Sequence, residues 1–310
     1  MATGTCKCSD KTKNTGLPQC TEEFRQMRNI IAVQTRDDAG VENFLDLSVT
    51  VDNTVISGLI NNTDASKRWF PIRDFDNVEI LRGDDVNQSL ASGVERFVHE
   101  GQRTVQGILL GATPQYLGCL QSFFCKELSY YIVDINGNLI GKEKSTDPNK
   151  LFPIAISKGT WRPKFDFPTD DAAQDVMLNF THDIKENDAD LNFIPAKSTE
   201  VDWLSVRGLI DVFCEVVAGS ISTTGFTTKL TNKFGDALTD QPHKGLLVGD
   251  VTLFNDTTVL AVVVTSLTEN PNGTYVWAFA VQAPSDVLDP AASKVGFDYT
   301  DLDDKTVTLP

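Results

Sequence analysis

Histidine is scarce in this 310-residue chain. The three that exist, His99, His182 and His243, stand at no metal-ligand spacing such as His-Glu-x-x-His, so each reads as a surface or turn residue. The Gly-x-Ser-x-Gly elbow, the Walker A loop and the Gly-x-Gly-x-x-Gly fingerprint are also missing. Gly101, Gly107, Gly111 and Gly118 fall at turn and strand positions with no phosphate loop after them. The expectation is a protein that is not an enzyme and needs no cofactor. Long apolar runs are lacking too: stretches such as Leu260–Val264 and Gly107–Leu110 fall far short of the roughly 20 residues that cross a bilayer. The opening Met-Ala-Thr-Gly-Thr-Cys-Lys-Cys has no basic segment followed by an apolar one, so synthesis and assembly in a cytoplasm are expected.

Positive charge is in deficit, with 27 basic against 43 acidic residues and a formal net of −16. Nucleic-acid binders gain affinity by releasing counterions from a basic face, and no Lys/Arg stripe is present. Direct DNA binding is therefore not expected. The acidity is densest in residues 208–310, where 13 acids face 5 bases. Such a surface keeps a protein soluble and repels DNA.

Six cysteines are present, at 6, 8, 20, 119, 125 and 214. Cys6, Cys8 and Cys20 hint at a zinc site but have no fourth ligand nearby, so free thiols in a reducing compartment are the simpler reading. Cys119, Cys125 and Cys214 lie in apolar patterns and read as buried small hydrophobes. Asp134-Ile135-Asn136-Gly137-Asn138 looks superficially like a calcium loop, but its glycine and following acids are misplaced for one. The acidic run Asp298–Asp304 reads as a solvated loop before it reads as a divalent-ion site.

What is present is strand pattern. Residues 1–27 are polar and read as an arm. Ile30–Val33 forms one apolar run; Phe44–Val51 and Thr54–Ile60 read as a hairpin about Asp52-Asn53. Pro71, in Lys67-Arg68-Trp69-Phe70-Pro71-Ile72, argues against a central strand. Val86, Leu90, Val94 and Val98 permit a helix, but Gly93 opposes it, and two strands, Gln88–Val98 and Arg103–Leu110, are preferred. Thr113-Pro114 begins a short helix with Tyr116, Leu117, Leu120 and Phe124 on its apolar face. Asn136-Gly137 predicts a type I′ hairpin between Leu128–Ile135 and Asn138–Gly141. Further strands are expected at 152–157, 159–165 and 175–182.

A boundary is expected near Trp203–Gly208, giving two folded units, 28–207 and 208–310. The second shows short strands at 209–217, 225–230, 246–254, 258–267, 274–281 and 306–309, with a hairpin turn at Pro271-Asn272-Gly273. That spacing suits an antiparallel sandwich of immunoglobulin-like architecture. The fold class expected overall is mainly β.

Several segments carry a resemblance. Ser66-Lys67-Arg68-Trp69-Phe70-Pro71, Glu100-Gly101-Gln102-Arg103-Thr104, Tyr116–Ser122, Val133–Gly141 and Asn14–Cys20 resemble structural proteins of tailed phages that infect Bacteroides-type and flavobacterial hosts. The element order around residues 88–141 is also similar to that of tail-tube proteins. The resemblance implies a virion component, a β-sandwich or barrel domain with a short helix, and homo-oligomeric stacked rings around a channel through which DNA passes without sequence-specific binding. It implies contacts with other tail or neck proteins and supplies no catalytic residues. Assembly residues nominated on this basis are Cys6, Cys8 and Cys20 of the arm, the Trp69-Phe70-Pro71 corner and the Asn136-Gly137 hairpin. The alternatives are a neck-ring, connector or capsid-decoration protein, or a host-surface glycan-binding module using Phe226, Tyr275, Trp277 and Phe279. Trp277 and Phe279 share a strand face, which favours their burial.

Overall fold

The computed structural model describes residues 23–91, 93–171, 173–234, 240–292, 300–302 and 306–310. Cys6, Cys8, Cys20 and most of the acidic run Asp298–Asp304 lie outside the described residues. The fold is mainly β.

Its centre is the antiparallel pair Met27–Gln34 and Leu128–Asp134, in register from Asn29↔Val133 to Gln34↔Leu128. Strand alternation sends successive side chains to opposite faces. Ile30, Ala32, Leu128, Tyr130 and Ile132 thus enter one core, while Ile31, Val33, Tyr131 and Val133 enter another. All seven residues of Leu128–Asp134 are buried, the continuous pattern of a strand covered on both faces. The sheet extends outward through Leu139–Glu143, Lys150–Phe152 and Leu45–Asp46 on one side and ends at Phe70–Ile72 on the other. Ile154–Ala155 and Leu191–Ile194 add to it.

The first core is closed by a four-stranded sheet ordered Arg162–Asp166, Asp175–Thr181, Arg103–Leu110, Phe75–Arg82. Val176, Leu178 and Phe180 point inward by strict alternation, opposite Val105 and Leu109. Between the latter two sits Gly107, where a Cβ would come within 2.9 Å of the Phe75 ring, so the absent side chain makes room for an aromatic one. Helix Pro114–Gln121 is tied on by the Trp161 indole, which donates to the Leu120 carbonyl at 2.8 Å. Thr113 caps it and Pro114 occupies its first turn, as expected. Its buried face differs: Phe123, not Phe124, joins Tyr116, Leu117 and Leu120. Cys119 and Cys125 are consequently exposed, and of the described cysteines only Cys214 is buried.

The second core is closed by helix Asn53–Ile60 and by Trp69, Val201, Trp203 and Val206. Here the expected strand at Thr54–Ile60 is overturned. The Asp52 carboxylate accepts from the Val55 N–H at 2.8 Å, an N-cap bond, and Ile56 and Ile60 then fall one turn apart on the buried face. Of Phe44–Val51 only Leu45–Asp46 is strand.

Residues 210–308 form two facing sheets. One is ordered Val264–Glu269, Thr274–Phe279, Gly225–Asn232, Ile210–Val216, with Thr300–Leu302 added parallel; the other is Leu260–Val262, Val251–Asn255, Val287–Ala292, Val307–Thr308. They enclose a third core around Phe226, Leu230, Leu253, Tyr275, Trp277 and Leu288. The Trp277 indole donates to the buried Thr228 hydroxyl at 2.9 Å. The hairpin at Pro271-Asn272-Gly273 forms as expected, with Gly273 at φ +77°. Among the described residues, no strand ladder joins this group to the strands before residue 195.

Replacing Asp52 by Ala is expected to destabilise the chain by about 1 kcal/mol, and by Asn far less, because Asn still caps. Urea denaturation monitored by tryptophan fluorescence measures both; a strand at 53–60 would make the two substitutions indistinguishable.

Candidate assembly interface

Of the nominated residues that the structure describes, all but Asn136 pack against the chain itself. Trp69 is buried against Tyr131, with ring centroids 4.9 Å apart, and Phe70 packs edge-on against Phe123 at 4.8 Å. Pro71 lies on the edge strand Phe70–Ile72, where its missing N–H disturbs no ladder. At the hairpin, Gly137 alone takes positive φ, +78°, so the turn is not type I′. Gly137 N–H donates to the Asp134 carbonyl, and the buried Asp134 carboxylate accepts from the Asn136 and Asn138 amides and the Asn138 side chain. That cage selects a three-residue loop closed by a left-handed glycine. Asn136 is exposed, while Gly137 is buried against Ala196 and Leu204.

The surface that sequence reading missed is a β-ribbon. The pair Phe75–Arg82/Arg103–Leu110 runs on through a Gly83 N–H to Gln102 carbonyl bond into Val86–Ser89 paired with Glu95–His99. The turn is closed between Leu90 and Val94, with Gly93 at φ +79°. Residues 83–90 therefore reach about 25 Å at strand rise. At the root, a Cβ on Gly101 would sit 1.8 Å from the Gly83 carbonyl oxygen, so the two strands cross too closely for any other residue. Beyond that point nearly every residue is exposed, including Val86, Leu90, Val94 (58%), Phe97 (51%) and Val98. Val86, Leu90, Val94 and Val98 are spaced by four but are divided between two strands by the turn, with a bulge at Val98, so the helical reading of that spacing does not hold. Gln88–Val98 is thus two strands and a turn, not one strand.

Charged residues anchor the root. The Arg103 Nε donates to Asp188 at 2.8 Å, Arg82 reaches Asp188 at 3.2 Å, and Arg82 also contacts Glu100. The Arg103 hydrogen bond holds the Asp188 carboxyl below its ordinary range. Beneath it, Tyr130 hydroxyl and His182 Nε2 lie 2.5 Å apart in the core. His182 is therefore no surface residue, and His243 is buried too. Burial first, then the nearby Arg103 charge, pull the His182 pKa down to about 4.

A second exposed apolar group caps one end of the C-terminal sandwich: Val259 (70%), Leu260, Val263 and Val281. Its loop is held from below by the buried Asn255, whose amide donates to Gln282 and Asp286 and whose oxygen accepts from the Thr257 and Thr258 amides. Val259 takes φ +58°, a conformation strained for a β-branched residue. Phe226, Tyr275, Trp277 and Phe279 are all buried. Among the described residues no cluster of three or more His, Cys, Asp or Glu is placed to hold a metal ion. No helix among them is long and apolar enough to cross a membrane.

No protein-family model matches this chain, and no curated protein does. Among solved structures, the N-terminal part of the bacterial S-layer protein SbsC aligns over 32% of this chain and 24% of its own length, at 15% identity and a TM-score of 0.24. The chain thus spans about a quarter of that structure, and the likeness carries no argument.

Because the folded His182 pKa lies below the unfolded 6.5, the unfolded chain binds the extra proton first on acidification. The contribution to stability is full above pH 6.5 and is lost as pH falls towards 4, by at most about 3 kcal/mol. Urea midpoints across pH 7 to 4 should fall accordingly, and His182→Gln should flatten the slope between 6.5 and 4.

Proposed function

We propose that this chain is a non-enzymatic structural protein of a tailed-phage particle, a tail-tube subunit that forms rings with copies of itself and stacks them around a DNA channel. The observation that carries the reading is the β-ribbon at 83–102. A two-stranded hairpin is marginal in water without a packed face, yet this one turns four aliphatic side chains and Phe97 outward. A neighbouring copy is the natural cover. The Phe75–Arg82 strand, which among the described residues has a ladder partner on one side only, offers an open edge beside it. Contacts between unlike surfaces close into rings when the rotation permits. A net charge of −16 suits a wall that DNA passes without sticking.

A second reading has its own support. The rigid aliphatic tip at Val259, Leu260, Val263 and Val281 suits a decoration, neck or host-surface protein that docks through its C-terminal unit. With the four nominated aromatics in the core, glycan stacking on them is not part of that reading.

Light scattering after size exclusion, followed by cryo-electron microscopy, tests the first reading. Rings or tubes are expected from the unaltered chain, and Val94→Glu with Val98→Glu should leave monomers whose melting temperature is unchanged. Rings that survive the double substitution would transfer the interface elsewhere, and loss of assembly on Val259→Glu and Val281→Glu instead would select the C-terminal tip.

A further inference from the structure

An open cavity of about 370 Å³ lies where the central sheet meets its hairpin, lined by Arg28, Asn29, Arg73, Asp74, Ile135 and Leu204. Its polar wall is incompletely paired. Arg73 Nε is buried and has no hydrogen-bond partner among the described residues. An unmet buried donor of this kind costs about 1–3 kcal/mol. Among the described residues Asp74 is the only carboxylate lining the cavity, and it serves both arginines poorly, at 3.5 Å from Arg28 and 3.9 Å from Arg73. It is held off by its own backbone, which sits at φ +61° with its N–H on the Asn29 side chain at 3.0 Å. Arg28 is fixed by the Phe75 carbonyl at 3.2 Å, and Asn29 by the Leu204 carbonyl at 3.3 Å. The wall is thus preorganised except at Arg73.

We propose that this cavity binds a carboxylate on a short aliphatic stem. Two arginines against one aspartate leave a single uncompensated positive charge, which a monoanion neutralises and a phosphate dianion overshoots. Turning the Arg73 guanidinium towards the cavity offers its Nε and one Nη as the paired donors that planar carboxylates accept. Ile135 and Leu204 form the wall against which the stem lies. The carboxylate comes either from a free small acid or from an aspartate or glutamate of a second copy, of which this chain has 43.

The test follows the Arg73 Nε–H signal in the full-length protein by nuclear magnetic resonance, with butyrate as the probe. The signal is expected to shift saturably with butyrate, at lower concentration than with inorganic phosphate. Asp74→Asn, which tolerates the same backbone conformation, should tighten butyrate binding roughly three- to tenfold by removing the competing charge. Arg73→Lys, which keeps the charge but loses the fork, should weaken it by a similar factor, read in that variant from the side-chain amide signal of Asn29, which also lines the cavity. A signal that already sits at the bound position in concentrated protein, and leaves it on dilution, identifies the second copy as the source. An Nε–H indifferent to butyrate and to dilution, phosphate binding tighter than butyrate, or unchanged affinity in Asp74→Asn overturns the proposal.

Discussion

The pairing of Met27–Gln34 with Leu128–Asp134 is the constraint on which the N-terminal half depends. The two strands lie about a hundred residues apart in sequence, so their register must be set by something other than a turn between them. Two-sided burial sets it. A slip of one residue would exchange Tyr130 with Tyr131 and move every apolar contact to the wrong core. Polar groups in the pair reinforce the same register: Thr35 and Ser129 hydroxyls meet at 2.9 Å, and the Asp134 carboxylate is spent on its own hairpin. A buried carboxylate is tolerable only with such donors around it.

With both faces of that sheet covered, lateral contact with other molecules is possible only at edges, and the edges are not alike. Phe70–Ile72 carries Pro71, and its carbonyl is overlain by Gly208, where a Cβ would lie 3.2 Å away. In the second sheet, Arg162–Asp166 places Pro163 beside Arg162, Lys164 and Asp166, the kind of charged and proline-bearing edge that resists pairing. Phe75–Arg82 is bulged at Asp76–Glu79, yet beyond the bulge it regains a regular ladder and leads directly into the exposed ribbon. Of these three edges two are guarded and one extends outward into the ribbon, while the fourth, Leu45–Asp46, is only two residues long.

Much of this was legible in the chain because alternation and turn chemistry act locally. The Leu128–Gly141 hairpin, the Thr113-Pro114 helix start and the Pro271-Asn272-Gly273 turn each follow from a few adjacent residues. What escaped depended on partners distant in sequence. Val55, Ile56 and Ile60 favour strand by side-chain type, and only the Asp52 cap together with a waiting apolar face across the sheet makes them a helix. Val287–Ala292 was missed because Pro290 breaks the pattern, yet the strand pairs with Val251–Asn255 through Leu253↔Pro290. The ribbon showed its apolar spacing, but no periodicity states whether a face meets the core or the solvent. Likewise Trp69 and Gly137 stood out as unusual residues, and in the folded chain both are buried.

The ribbon's direction is not an isolated property of residues 83–102; its root is continuous with the core. The His182 N–H donates to the Arg103 carbonyl at 2.8 Å, so the residue that ends the ribbon's return strand is bonded to the residue that holds Tyr130. Above that bond, Arg82 and Arg103 face Asp188 and Glu100, a balanced set of two positive and two negative charges. A neutral His182 preserves the balance, whereas a protonated one would place a third positive charge against Arg103 with no added acceptor. Desolvation keeps the imidazole neutral, and neutrality in turn lets Arg103 remain committed to Asp188. The same burial that stabilises the first core thereby leaves the ion pairs at the ribbon's root undisturbed.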